Sequence, residues 1–471
     1  MQKLAQIDQK YIWHPFTQMK DWLKNKPIVI TRGKGAVLWD ERGRSYLDAN
    51  SSIWTNLHGH RQAKIDRAIN RQLRKIAHSS ALGLANEPAS ILAQRLVKSA
   101  TGGSSERTPE LKKVFFSDDG STAMEVALKL SYEYWRRNGV KQPRFLSLAG
   151  GYHGDTVGAV SLGHIDLFHK AYGGLLFETE SVMAPYCYRC PFNRAIPERA
   201  DARTYRKCNW ECVGAVEEQF AAANRRGRRI TGFVVEPLMQ GAAGMIPQPE
   251  GWFKRVAQVA RNYRAQIIAD EVMTGFGRVT EPKRGLFGFQ QEQVAPDFVA
   301  LAKALTGGYL PMAATLTTQS VFDAFLGEYE EFKTFFHGHS YTGNQLGASA
   351  ALPNLDLLES RGSRKARVQL AQQLEAELAG LWKLPQIGDI RRVGLVAGIE
   401  LVKDWLTREE FPLEQRAGIR VCEAMARRGV LTRPIGNVIV LMPPYCTTGR
   451  QLRKMVSGLA ESILEVFGLN A

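Results

Sequence analysis

Gln266-Ile267-Ile268-Ala269-Asp270-Glu271-Val272 is a short apolar run that ends in two adjacent carboxylates. A run of this kind reads as a buried strand. Side chains alternate along a strand, so Asp270 and Glu271 point to opposite faces and do not form an acid–base pair on one substrate. A lone buried carboxylate is costly unless a cation stands beside it, and the protonated ring nitrogen of a cofactor is one such cation.

Outward from this strand, from about residue 113 to 316, short apolar runs alternate with longer amphipathic ones. That is the pattern of an α/β domain in which crossover helices join the strands of a mostly parallel sheet. Strands are expected over 114–116, 144–148, 230–236, 266–270, 298–300 and 312–317, with ligands beyond their carboxyl ends. A Gly-rich, hairpin-like stretch over 28–48, and helices alternating with strands around 394–401 and 437–441, read as smaller flanking layers. Gly102-Gly103 and Pro282 read as loops within one compact unit.

Two further segments carry chemistry. Ser117-Asp118-Asp119-Gly120-Ser121 precedes a helix expected to start near Thr122, with Met124, Ala127, Leu128 and Trp135 on one face. Thr122 and Glu125 have capping-box spacing, so the helix-start amides and the Ser121 hydroxyl are available to an anion such as phosphate. Lys303, in Ala300-Leu301-Ala302-Lys303-Ala304-Leu305-Thr306-Gly307-Gly308, has apolar neighbours on both sides. Burial lowers a lysine pKa and yields the neutral amine that a Schiff base requires. Lys283, among Glu281, Pro282 and Arg284, reads as solvated.

Composition excludes several classes. The chain has 471 residues, 44% hydrophobic and 23% charged, which excludes disorder, collagen and small disulfide scaffolds. With 62 Lys and Arg against 46 Asp and Glu the net charge is +16. The basic residues are scattered, in the run Arg225, Arg226, Arg228, Arg229 and the pairs Arg136–Arg137, Arg391–Arg392 and Arg427–Arg428. Each reads as solvated surface closing a helix or turn, with no nucleic-acid partner. The opening residues lack a signal peptide's apolar block and no stretch is long enough to span a bilayer, so no membrane partner and a cytoplasmic location are expected. Six cysteines are then thiols. Cys187-x2-Cys190 and Cys208-x3-Cys212 have zinc-like spacing, the second of them loose, and a structural zinc is left open. The pairs His58-Gly59-His60 and His337-Gly338-His339 read as loop residues packing near a cofactor, since no third ligand stands at metal spacing.

A helix-start phosphate site, a strand-end Asp and a desolvated Lys after the next strand together match the three anchors of pyridoxal 5′-phosphate on a fold-type I scaffold. The stretch Asp270-Glu271-Val272-Met273-Thr274-Gly275-Phe276-Gly277-Arg278, with Lys303 after it, resembles the class III aminotransferases over nearly the whole chain. Within that class the sequence is similar to the 7,8-diaminononanoate synthases of biotin biosynthesis. The resemblance is carried by Tyr11-Ile12-Trp13-His14-Pro15-Phe16-Thr17-Gln18-Met19, Ser51-Ser52-Ile53-Trp54, Gly151-Tyr152-His153-Gly154-Asp155-Thr156, the 337–344 segment His-Gly-His-Ser-Tyr-Thr-Gly-Asn, and Thr432-Arg433-Pro434.

The resemblance implies a large cofactor domain over 61–340, a small α+β domain over 341–471, and an N-terminal segment, 1–60, that contributes to the small domain and the active site. It makes Lys303 the lysine that holds the cofactor covalently and Asp270 the partner of the ring nitrogen. Tyr152 stacks on the ring with Val272 opposite. Gly120 and Ser121 hold the phosphate, joined by Ser340 of the other subunit of a homodimer. Phe16, Trp54, Gly338 and Arg433 line the substrate site, Arg433 gripping the carboxylate of 8-amino-7-oxononanoate. Glu236 matches a position near the active site where a structural role is also open. The amino donor is lysine or S-adenosylmethionine. Users of the adenosyl donor typically carry Tyr at the position of Phe16 and Trp at that of Ile53, so these two residues favour lysine. The rivals are another class III aminotransferase, acting on ornithine, 4-aminobutyrate or an ω-amino acid, and a nucleic-acid-binding protein on a retired scaffold. The motif Trp13-His14-Pro15 argues against the first; intact Lys303, Asp270 and Tyr152 argue against the second.

Overall fold

The structure, a computed structural model, describes residues 2–101 and 110–468. Gly102-Gly103 therefore lies outside the described residues. At its centre is a seven-stranded sheet whose spatial order is Leu111–Ser117, Ala313–Thr318, Phe298–Leu301, Gln266–Asp270, Ile230–Val235, Arg144–Leu148 and Glu180–Val182. The five strands from Phe298–Leu301 to Glu180–Val182 run parallel; Ala313–Thr318 is antiparallel to both of its neighbours. The Ile230–Val235, Gln266–Asp270 and Phe298–Leu301 strands are buried at every position, as strands covered by helices on both faces must be. Each expected strand is present to within a few residues. Glu180–Val182, a three-residue edge strand, had no apolar signature to announce it.

Crossover helices seal the faces. Trp252–Asn262 buries Trp252, Phe253, Val256, Ala257, Val259 and Ala260 along one side, after Gly251 turns the chain at φ +79. The helix after the first sheet strand, Gly120–Arg137, starts two residues before the expected Thr122. Its cap is Asp119, whose carboxylate accepts the Thr122 amide at 2.9 Å while the Thr122 hydroxyl oxygen accepts the Asp119 amide at 2.9 Å. Glu125 is not part of that box. Its Oε1 accepts the amides of Gly158 and Ala159 at 2.8 and 3.2 Å and so satisfies the start of the neighbouring helix Val157–Ser161.

The flanking layers come from both ends of the chain. Ile30–Lys34, Val37–Asp40 and Ser45–Asp48 form a meander that pairs with Val430–Leu431. Ile387–Val393, Val396–Asp404, Val438–Leu441 and Pro434–Ile435 build a second antiparallel sheet, with Glu409–Glu410 on its side. Residue 341 stands just before helix Gln345–Glu359, which packs on helices Ala63–Leu73 and Glu87–Thr101 and on the turn Lys303–Thr306. Asn354 of this helix donates to the carbonyls of Ala304 and Leu305 at 2.9 and 2.8 Å and pins that turn.

Arg391 departs from the solvated reading of the arginine pairs. It lies inside the strand Ile387–Val393 and is 1% exposed. Its guanidinium meets Glu400 and Asp389 and donates to the Gly244 and Met245 carbonyls. Arg189 and the Tyr186 hydroxyl bind the same Glu400, so the cysteine-bearing segment is docked on the small sheet through one buried charge network. Sequence periodicity could not show this, because one acidic partner, Glu400, comes from the neighbouring strand, while Asp389 shares the strand of Arg391. The other three groups do close helices, at Arg136–Arg137, Arg225–Arg226 and Arg427–Arg428. Arg391→Met leaves Glu400 and Asp389 buried without their main cation and should cost about 3–5 kcal/mol. Urea denaturation followed by fluorescence measures this, and a loss below about 1 kcal/mol, the worth of an exposed pair, would contradict the network.

Candidate active site

A cavity of about 440 Å³ opens where the parallel strands end at their carboxyl termini. Asp118 to Ser121 follow the first sheet strand, Tyr152 to Gly154 the Arg144–Leu148 strand, and Glu236 the Ile230–Val235 strand. Asp270 and Val272 end the central strand; Ala302 and Lys303 follow Phe298–Leu301. Trp54 and Thr55 come from the N-terminal segment, and Tyr309 to Met312 close the far wall. The structure thus brings together Gly120, Ser121, Tyr152, Asp270, Val272, Lys303, Trp54 and Glu236.

Asp270 and Glu271 part as strand geometry requires. Asp270 faces the cavity, where its Oδ2 lies 2.8 Å from His153 Nδ1 and its Oδ1 accepts the Val272 amide at 3.0 Å. Glu271 faces the core, where Thr274 and the Phe289 amide hold it and burial pushes its carboxyl up to about 7. Lys303 sits at φ +40, a left-handed strain for a non-glycine residue, with its Nζ 4.6 Å from the centre of the Trp54 ring. Burial lowers its pKa, against the pull of Asp270 and Glu236. Trp54 itself ends a run of four left-handed residues, Ser51, Ser52, Ile53 and Trp54. Such a conformation costs roughly 1–2 kcal/mol per residue. Asp48, accepting the Ser52 amide and hydroxyl at 2.8 Å each, and the Ser51 hydroxyl on the Met442 carbonyl hold it in place.

The helix-start end of the cavity is built from missing side chains. A Cβ on Gly120 would stand 2.7 Å from Val272 Cγ1, and one on Gly154 would stand 2.3 Å from Ser121 Oγ. The Asp119 cap takes the Thr122 amide, which leaves the Gly120 and Ser121 amides without an intrahelical partner. Amides at a helix start, a carboxylate for a ring nitrogen and a desolvated amine fit pyridoxal 5′-phosphate.

The Tyr152 hydroxyl donates to Asp155 at 2.7 Å, and burial with that bond raises its pKa. Glu236 accepts the Gly241 amide at 2.8 Å and the Tyr152 amide at 3.4 Å, and burial pushes it up to about 7. It is therefore both a cavity wall and a support for Tyr152. Phe16 contacts Tyr152 and Phe168, with ring centroids 6.4 and 5.3 Å apart. It also lines a second cavity of about 520 Å³ with Thr432, Arg433 and Pro434. Arg433 thus lies outside the Lys303 cavity, across Phe16 from it. Gly338 and Ser340 do not line the Lys303 cavity of their own chain.

Sequence reasoning missed His153 as a partner of Asp270, and Tyr309, whose hydroxyl meets the Gln62 amide. His153 is adjacent to Tyr152 in the quoted motif, but its carboxylate is 117 positions away. His58 and His60 do not line the cavity either. His58, which burial lowers to about 4, bonds Asn354, and His60 bonds Asp48 and Asn56. Cys187, Cys190, Cys208 and Cys212 are unlinked thiols, and burial pushes Cys187 up to about 12 and Cys212 to about 11. Among the described residues no three His, Cys, Asp or Glu side chains stand where they could hold a metal ion. No helix among these residues is long and apolar enough to cross a membrane.

The model of the family described as aminotransferase class-III matches residues 18–463. An adenosylmethionine-8-amino-7-oxononanoate aminotransferase of Geobacter sulfurreducens is 45% identical over 99% of this chain and 98% of its own length. The crystal structure of the enzyme so named from Methanocaldococcus jannaschii superposes with a TM-score of 0.88 at 39% identity, covering 98% of this chain and 99% of that one. An omega transaminase of Pseudomonas jessenii in complex with PMP gives 0.88 at 25% identity, over 99% of this chain and 100% of that one. With its fold-type I sheet, its helix-start cradle and a family match across nearly all its length, the chain belongs to the class III aminotransferases.

Proposed function

We propose that this aminotransferase converts 8-amino-7-oxononanoate to 7,8-diaminononanoate in biotin biosynthesis, with pyridoxal 5′-phosphate as cofactor. The observation that carries the reading is the 45% identity, across 99% of this chain, with a relative named for that substrate. The cavity layout supports it. A long ω-carboxylate substrate needs an amine-transfer site at one end and a cation well away from it, and Arg433 lies beyond Phe16 from Lys303.

Pyridoxal 5′-phosphate, when bound, supplies an electron-accepting ring. Gly120 and Ser121 would hold its phosphate, Tyr152 and Val272 would flank the ring, and Asp270 would hold the proton on the ring nitrogen. Lys303, with its pKa lowered by burial, serves as the base that takes a proton from the donor carbon and later returns one to the acceptor. Trp54 and Tyr309 narrow the cavity and exclude water. Arg433 binds the acceptor's carboxylate through a charge-assisted pair. A homodimer completes the site, with Gly338 and Ser340 crossing from the partner, which accounts for their absence from the cavity wall of their own chain.

Lysine is the proposed donor. Phe16 and Phe168 give the cavity mouth two apolar rings with no hydroxyl, and exposed Ile53 offers no second indole to cover a purine. S-adenosylmethionine is the second reading, because the names of the relatives carry it.

Borohydride reduction of the cofactor-loaded protein followed by peptide mapping should place the pyridoxyl group on Lys303; label on any other lysine overturns the assignment. Arg433→Ala should weaken acceptor binding by about tenfold or more, the worth of a hydrogen bond to a charged group, and leave donor binding unchanged. Equal losses for both substrates would remove the carboxylate role. Each donor alone, mixed with the loaded enzyme, should bleach the cofactor's visible band only if its amino group transfers. Bleaching by lysine is expected; bleaching by S-adenosylmethionine alone would reverse the donor and leave the acceptor standing.

A further inference from the structure

Three arginines are almost completely buried among the described residues, and one of them lacks the acceptors that the other two have. Arg391 meets two carboxylates, and Arg278 donates to the Pro443 and Asn56 carbonyls at 3.1 Å each. Arg367, on helix Arg361–Ala379, is 2% exposed. Its Nη2 donates to the Leu358 carbonyl at 3.0 Å, while Nε and Nη1 make no hydrogen bond. Tyr445 eases this charge without cancelling it. Its ring centre lies 5.5 Å from the Arg367 Cζ, and its neutral hydroxyl, which pulls the arginine pKa up against burial, already donates to the Phe276 carbonyl.

A guanidinium keeps its charge inside a protein, so burial without an opposite charge is costly unless something outside the chain supplies one. The surroundings leave room for it. Arg367 forms part of the wall of a cavity of about 570 Å³ between its own helix and the segments 277–283 and 392–395, and this cavity shares no lining residue with the Lys303 cavity. Lys283 and Arg392 also line it, but each already has a carboxylate, Glu281 at 3.2 Å and Glu375 at 2.7 Å. Pro282 and Lys283 are shared with a neighbouring cavity of about 620 Å³ whose wall carries Lys98, Arg284 and Arg364, none of them in an ion pair among the described residues. Positive charge therefore lines the approach. The main chain holds the guanidinium in place: Gly277 stands at φ +85, and a Cβ there would collide with Arg367 Nη1.

We propose that this cavity binds a small oxyanion of the inorganic phosphate class against Arg367, at a site separate from the cofactor's own phosphate cradle. An oxyanion supplies both the charge that Arg367 lacks and acceptors for its spare N–H groups, in charge-assisted bonds. The site depends on neither the acceptor nor the donor of the reaction.

The protein is loaded with pyridoxal 5′-phosphate, so that the cofactor's cradle is filled, and inorganic phosphate is titrated in by calorimetry in a buffer free of other oxyanions, with thermal melting in parallel. Saturable binding is expected, with a melting temperature that rises as the site fills. Arg367→Met should weaken binding by about tenfold or more, the worth of a hydrogen bond to a charged group, and remove the saturable rise. Where Arg367→Met does not fold, Val368→Trp decides. Val368 lines the same cavity at a position 40% exposed, and an indole there narrows the cavity without touching a charge, so binding should again weaken. Absence of calorimetric binding, or binding that the deciding variant leaves unchanged, overturns the proposal. So does a melting temperature that climbs without saturating and equally in unaltered and altered protein, the general effect of an excluded salt.

Discussion

A carboxylate buried at the end of the central strand is the constraint on which the rest of the site depends. Asp270 is 4% exposed, and an ionised group so placed is tolerable only with cations and hydrogen-bond donors around it. His153 supplies one donor and the Val272 amide another, and Lys303 is drawn toward it by charge. The remaining capacity of the carboxylate faces the cavity. Glu271, one residue on, meets the same problem in the core and meets it differently. Burial raises its carboxyl to about 7, and Thr274 with the Phe289 amide holds it in place.

Holding these groups together requires local strain, which the surroundings offset. Lys303 and the run Ser51 to Trp54 adopt left-handed backbone that side chains resist. Asn354 grips the two carbonyls after Lys303, and Asp48 grips Ser52 from below. Both anchors come from distant parts of the chain. His58 holds Asn354 and His60 holds Asp48, so the His58-Gly59-His60 pair supports the cofactor walls at one remove. Gly59, at φ +82, lets the chain turn between them where a Cβ would meet the Cys446 sulfur and the Gly35 backbone.

The C-terminal antiparallel sheet enters this arrangement through charge as well as apolar packing. Arg391, Glu400, Asp389 and Arg189 form a buried network that ties the segment around Cys187 to the sheet carrying Val438–Leu441. Arg391 also reaches the Gly244 and Met245 carbonyls, which adjoin the loop that positions Glu236. Arg433 follows from the same unit. The relative placement of the Lys303 cavity and the cavity beside Arg433 is therefore set by how these layers dock.

Much of this was legible in the sequence for a physical reason. Strands buried on both faces must be apolar throughout, so the runs ending at Leu148, Val235, Asp270 and Leu301 stood out, and ligands of such sheets gather at the strand ends. The lysine between apolar neighbours, the strand-end Asp and the Gly-Ser helix start were all local signals, and the family resemblance rested on them. Tertiary structure alone decided what depends on partners far apart in the chain. It moved the helix cap to Asp119, three residues before Thr122, and it turned Glu125 toward another helix. It buried Arg391 against Glu400 of a neighbouring strand, separated Arg433 from Lys303 by Phe16, and paired His153 with Asp270. Periodicity reports which face of an element is apolar; it carries no record of which charges that face will meet.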